Sequence, residues 1–439
     1  MTRMHQSRRH LLKSAAAVSA AIPLAKINIM PSFAAEGGKK DALTGIDRVL
    51  RQAADAKEVP GVVAVAATSD GVLYEGAFGK RDLVKGNDMT LDSVFWIASM
   101  TKALTATAAM QLVEQGKLKL DEPIAKLLPD LAAPQVLEGF NDKGEPNLRP
   151  AKGQITLRHL LTHTAGFTYD IWDANTLQYN KYADLPGIIS CKNAALKTPL
   201  AFDPGTRWEY GINIDFVGKA VEAVSGQNLA VYLREHVLQP LGMKDTDFVI
   251  GPDQKARLVS VHARKEDGAL EPMEFGIPQE PEFFMGGGGL YGTARDYIAF
   301  LQMLLHDGKV GGVQILRPET IAEMSKNNMG DIKIAFLKTA IPSASPDVDL
   351  PQMFPGDDLK WGLSFLINTK QGSAGRSAGT LSWCGLANTY FWVDPAKRVA
   401  GVICTQILPF VDPRVMDLYT KFERGVYQAV SIGYPGPVL

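Results

Sequence analysis

The sequence predicts a mixed α/β fold: one mostly antiparallel sheet assembled from both ends of the chain, flanked by helices, with an all-α domain inserted between them. Three observations carry this expectation. Strand-like runs cluster near the two ends, helical periodicity fills the middle, and no internal repeat suggests another architecture. The 439 residues allow two or three domains, or one large core carrying an insertion.

The elements follow in order. Apolar spacing predicts a helix over residues 43–56. Strands follow at 61–68 and 72–78, joined by Ser69-Asp70-Gly71, whose Asp-Gly pair is a hairpin signal. Helices are expected at 102–115, 215–224, 229–238 and 294–305, the last opened by a capping box at Thr293-Ala294-Arg295-Asp296. Strand character returns at 361–368, 389–393 and 399–405, with Asp394-Pro395-Ala396-Lys397 as the turn between the last two, and a closing helix runs over 413–430. Residues 142–153 and 342–358 are expected to be long surface loops. The α/β domain is assigned to residues 35–120 and 305–439, and the mainly helical insertion to 121–304.

Residues 1–34 hold basic residues and no acid. They run from Ser7-Arg8-Arg9-His10-Leu11-Leu12-Lys13 through an alanine-rich apolar stretch to a small-residue exit at Ser32-Phe33-Ala34. This pattern is expected to be a cleavable export signal of the twin-arginine type, placing the mature protein in the periplasm of a bacterium or outside the cell. Losing Arg3, Arg8, Arg9, Lys13 and Lys26 with it would turn a nearly neutral chain, 46 basic against 47 acidic residues, mildly acidic. No stretch reaches the roughly 18 apolar residues of a membrane span. Neither a basic patch for nucleic acid nor a cysteine spacing for zinc is present, and Cys191, Cys384 and Cys404 cannot close a disulfide framework. No cofactor or metal is expected, and the oligomeric state is left open.

The chemistry-bearing segment is Trp96-Ile97-Ala98-Ser99-Met100-Thr101-Lys102. A serine at a helix start and a lysine three residues on share one helix face, so the amine can reach the hydroxyl. A serine needs a neighbouring base to attack, and a lysine becomes one when burial lowers its pKa. The helix that follows is apolar nearly all round, which would bury its first turn. By itself the motif also fits an N-cap serine followed by a solvated lysine. Two further segments carry candidates: Tyr210 in a turn entering the next helix, and Leu381-Ser382-Trp383-Cys384-Gly385-Leu386 before a strand, where Gly385 permits close backbone approach.

Taken together these segments resemble the serine β-lactamase and penicillin-binding-protein superfamily, most closely the family VIII carboxylesterases, relatives of the class C β-lactamases. Further echoes are the 155–166 segment, the Gly286–Gly289 run and Tyr390-Phe391-Trp392-Val393-Asp394-Pro395, so the resemblance covers most of the chain after the signal. It implies Ser99 as nucleophile, Lys102 as its activating partner and Tyr210 as the proton shuttle to the leaving group. It also implies an oxyanion hole from the backbone N–H groups of Ser99 and Leu386, with Trp383 and Gly385 contacting a small-molecule ester substrate. Where lactamases of this type carry an asparagine two positions after the tyrosine and a lysine in the third motif, this sequence has Ile212 and Trp383. An indole cannot pair with a substrate carboxylate, which shifts the expectation to neutral esters. The alternatives on the same scaffold are a β-lactamase, a D-amino-acid peptidase or amidase, and an acyltransferase; a non-catalytic binding protein is the reading from another class.

Three other features invite chemistry. Gly375-Arg376-Ser377-Ala378-Gly379 fits a nucleophile elbow in letters, but a loop precedes it, a strand follows, and no histidine comes later than His306. His159 and His163 stand four apart without a third metal ligand and are expected to be structural. Phe167, Tyr169, Trp172 and Tyr179 are candidates for the wall of a pocket, and Cys384 is expected to pack rather than react.

Overall fold

A computed structural model describes residues 33–334, 336–354 and 359–433. The export signal read over 1–34 falls outside the described residues, apart from Phe33 and Ala34, which begin helix α1 (Phe33–Asp55). Strands β1 (Gly61–Thr68) and β2 (Gly71–Gly79) form the expected hairpin. Helices α2 (Thr101–Glu114), α3 (Asn213–Ser225) and α4 (Ala294–Leu305) follow. The far end supplies β3 (Lys360–Trp361), β4 (Leu366–Ile367), β5 (Leu381–Gly385), β6 (Thr389–Asp394) and β7 (Val399–Cys404), then α5 (Pro413–Gly433).

These strands make one seven-stranded antiparallel sheet in the order β3-β4-β5-β6-β7-β1-β2. The two ends of the chain meet at β1 and β7, where Val63 pairs Cys404 and Thr68 pairs Val399. Every residue of β5, β6 and β7 is buried, because helices cover both faces. Side chains alternate across a strand. On β6, Tyr390 and Trp392 meet Tyr419 and Phe422 of α5, whereas Phe391 meets Tyr297 of α4. Helix α5 packs on α1, and α4 lies across β1, β6 and β7.

Several expectations are corrected in detail. The 361–368 run is not one strand: Gly362 N–H donates to Phe365 O at 2.8 Å, Ser364 has φ 76°, and the chain turns between β3 and β4. A Cβ at Gly362 would sit 2.1 Å from Met324 O, so the turn exists where only glycine fits against its neighbour. The 142–153 loop is half strand, since Gln135–Phe140 pairs with Pro146–Pro150. The 229–238 helix widens into a π turn at Arg234–Leu238. At Thr293 only half of the capping box forms: its hydroxyl accepts from Asp296 N–H at 3.1 Å, while the Asp296 carboxylate accepts from Asp245 N–H and the Thr246 hydroxyl. The 342–358 stretch holds one turn of helix at Leu350–Met353; residues 355–358 lie outside the described residues.

Candidate active site

Ser99 lies in a 3-10 turn, Ala98–Met100, that feeds α2, with Ala98 in the left-handed region at φ 45°. In that first turn an amide has no intrahelical carbonyl to bond. Lys102, one turn later, is fully buried. Its Nζ lies 3.1 Å from Ser99 Oγ, 2.8 Å from Tyr169 OH and 2.6 Å from Gly287 O. No carboxylate is among these partners. Burial pushes the Lys102 pKa down from the ordinary lysine range to about 7, against the pull of Asp215 and Cys384.

The glycine run is fastened along α2. Gly286 O accepts from the Thr105 hydroxyl at 2.8 Å, and Leu290 N–H donates to Thr101 Oγ1 at 3.1 Å. Gly287 N–H donates to Asp215 Oδ1 at 2.9 Å, so one glycine faces Asp215 with its amide and Lys102 with its carbonyl. Asp215 is fully buried, its other oxygen has no hydrogen-bond partner, and burial raises its pKa while Lys102 lowers it.

Tyr210 sits over the same amine, its ring centroid 4.6 Å from Lys102 Nζ. Its phenol oxygen accepts from Trp383 Nε1 at 2.9 Å and shares a hydrogen bond with the Ser99 hydroxyl. Burial raises the phenol pKa well above its ordinary value, and these two bonds oppose the rise. His163, Tyr169, Trp172 and Trp383 rings stand within 6 Å of the Tyr210 ring. This aromatic surround explains why the lysine and phenol are dry.

Strand β5 reaches the nucleophile through Gly385, where a Cβ would lie 2.5 Å from Ile97 O. Gly385 pairs Thr389, so Leu386 is the first residue of the turn between β5 and β6. Leu386 and Ser99 line one cavity of about 300 Å³, together with Trp96, Ile171, Trp172 and Met285. Trp383 is not on that wall: it is buried behind Tyr210, against Trp361 at 4.6 Å between ring centroids, and its one donor is used on the phenol.

The four candidate wall aromatics divide. Tyr169 and Trp172 line the Ser99 cavity, whereas Phe167 and Tyr179 line a larger groove of about 1010 Å³ that lacks Ser99. We place the site at the smaller cavity because it holds the serine beside a depressed-pKa amine. The elbow-like segment lies elsewhere, with Ser377 N–H on Asp394 and Arg376 buried on Glu423. His159 Nδ1 accepts from Thr156 N–H, and buried His163 meets the Asn213 amide at 3.0 Å. The Cys384 thiol is fully buried, which raises its pKa. Neither Asp215 nor the bond of Tyr169 to the amine belongs to a motif in the sequence. The available signal for Asp215 is an acid between the apolar residues Ile214, Phe216 and Val217.

Residues 46–425 match the family described as Beta-lactamase. The chain is 32% identical over 409 residues to the monacolin J acid methylbutanoyltransferase of Aspergillus terreus, covering 90% of this chain and 97% of that protein. It is 31% identical over 402 residues to the lovastatin esterase of Penicillium rubens, covering 88% and 98%. Among solved structures, a LovD6 mutant of simvastatin synthase (LovD) from Aspergillus terreus superposes with a TM-score of 0.76 at 30% identity, covering 89% and 98%.

Proposed function

The chain belongs to the Beta-lactamase family, and from that premise we propose that it is a serine carboxylesterase that takes an acyl group from an ester onto Ser99 and passes it to water. The observation that carries the reading is the dry Lys102 amine on the Ser99 hydroxyl, held by neutral partners only. When neutral, the amine can give its two hydrogens to Tyr169 and Gly287 and turn its lone pair to the serine proton. Ser99 Oγ then attacks the ester carbonyl, and the N–H groups of Ser99 and Leu386 face the oxygen that becomes negative. Tyr210 protonates the departing alkoxide, and the same groups activate the water that releases the acid. Trp383 positions Tyr210, and Gly385 lets β5 come close enough to place Leu386.

A second reading, transfer of the acyl group to an alcohol, is favoured by the names of the fungal relatives and by the apolar cavity, which disfavours water as acceptor. A short-chain nitrophenyl ester tests the first step: a burst of nitrophenol is expected from the wild type and none from Ser99→Ala, and a serine variant of near-native rate overturns the reading. Adding an alcohol during turnover separates the acceptors, because new ester in the products assigns transferase activity. Turnover of a chromogenic cephalosporin above that of the ester would reassign the substrate class.

A further inference from the structure

The cavity beside Ser99 carries an ionisable carboxyl that the proposed reaction does not use. Its walls are mostly apolar, and among the described residues lining it there is no lysine, arginine or histidine. Lys102 is fully buried behind it, with its bonds directed to Ser99, Tyr169 and Gly287 rather than to the space a substrate would occupy. The ionisable carboxyl on the wall is Asp170, next in sequence to Tyr169. It faces Gly187 across the lining, where a Cβ would lie 3.6 Å from Asp170 Oδ2, so no side chain at 187 covers the carboxyl. The neighbours that ease its charge are Asn180 and the backbone at 170 and 171, with no cation among them. Burial raises its pKa, the same cost that a second anion beside it would meet.

Resting on the reading of Ser99 as the acylated residue, we propose that Asp170 sets the charge selection of this cavity, which admits neutral and cationic substrate groups and rejects carboxylates. A carboxylate entering here leaves water, finds no cationic partner, and is repelled by Asp170 in a poorly screened space. A cationic group also leaves water, but Asp170 attracts it and offsets that cost. Selection of this kind works by a built-in repulsion rather than by an added attraction.

The test uses nitrophenyl esters of three acids of similar length: valerate, the monoester of glutarate, and 4-(trimethylammonio)butyrate. Values of kcat/KM are each divided by the rate of the same ester in alkali, and measured near pH 8, about four units above an ordinary aspartate pKa. The cationic ester is expected to exceed the anionic one by at least about tenfold in the wild type. Asp170→Asn is expected to shrink that ratio at least about fivefold, whatever happens to the absolute rates, and Asp170→Glu to retain most of it. An anionic ester as good as the cationic one, or a ratio unmoved in Asp170→Asn, overturns the proposal. Should Asp170→Asn fail to fold, the wild type decides: 4-carboxyphenylboronic acid is expected to inhibit at least about tenfold more weakly than phenylboronic acid, and equal inhibition overturns the proposal. Failure of the underlying reading looks different, since Ser99→Ala would then turn over the valerate ester at the wild-type rate.

Discussion

Lys102 and Arg376 are both fully buried cationic residues, and what faces each one separates a chemical group from a structural one. Arg376 meets the Glu423 carboxylate with Nε at 2.7 Å and Nη2 at 3.1 Å, and also bonds the Tyr419 hydroxyl. Burial alone would lower its pKa, but Glu423 and Tyr419 raise it, so the charge is permanent and ties the 375–379 loop to α5. Lys102 is equally buried but bonds only a hydroxyl, a phenol and a carbonyl. Its charge is therefore dispensable near neutrality, which is what a base requires. Nearest partners, not depth, decide the difference.

Four experiments test this contrast, in order of expected effect. The same substitution at the two sites should separate activity from stability. Lys102→Met is expected to lower kcat/KM about 10³-fold or more while raising the melting temperature, because a costly buried amine is replaced by an apolar chain. The gain should be full below the folded pKa of about 7 and fade as pH rises toward 10.5, where the unfolded lysine also loses its proton. Arg376→Met is expected to do the reverse, destabilising by about 3–5 kcal/mol because Glu423 is left buried and unpaired. Equal signs of the two melting shifts would end the comparison.

Next in size, Tyr210→Phe is expected to lower kcat/KM about 10²-fold or more, with little change in melting temperature by calorimetry. The pH profile comes third. The amine accepts a proton only above its pKa, so kcat/KM should fall as pH drops through about 7. Asp215→Asn removes the nearby negative charge that raises the Lys102 pKa, so its acidic limb should move to lower pH; an unmoved limb would exclude Asp215 from tuning the amine. Smallest is Trp383→Phe, which deletes one neutral hydrogen bond to Tyr210 and should cost about tenfold or less in kcat.

The contrast was only half legible in the sequence. Ser99 and Lys102 are neighbours on one helix, and an all-apolar continuation announces burial, so local periodicity suffices. The pairing of β1 with β7 inside one sheet follows from strand runs at both ends. Arg376 stood inside a decoy motif, and its partner Glu423 is 47 positions away, a pairing no local pattern encodes. Asp215 and Gly287 are likewise joined only by the packing of α3 under the glycine run. The substrate contact expected of Trp383 comes from the resemblance of its motif, and that motif does not encode that its indole N–H is taken by Tyr210, 173 positions away. The turn at Gly362 was hidden because its cause is Met324, which lies outside any strand window.

The bond from Trp383 to Tyr210 fixes a direction of travel. An indole N–H gives a hydrogen and cannot receive one. The phenol oxygen is thus already occupied as an acceptor on its rear side, and the Ser99 hydroxyl stands beside it as its other partner. A lysine in the indole's place could lend a charge to a substrate. The tryptophan instead braces the phenol from behind, and as a donor only it takes no hydrogen from Tyr210.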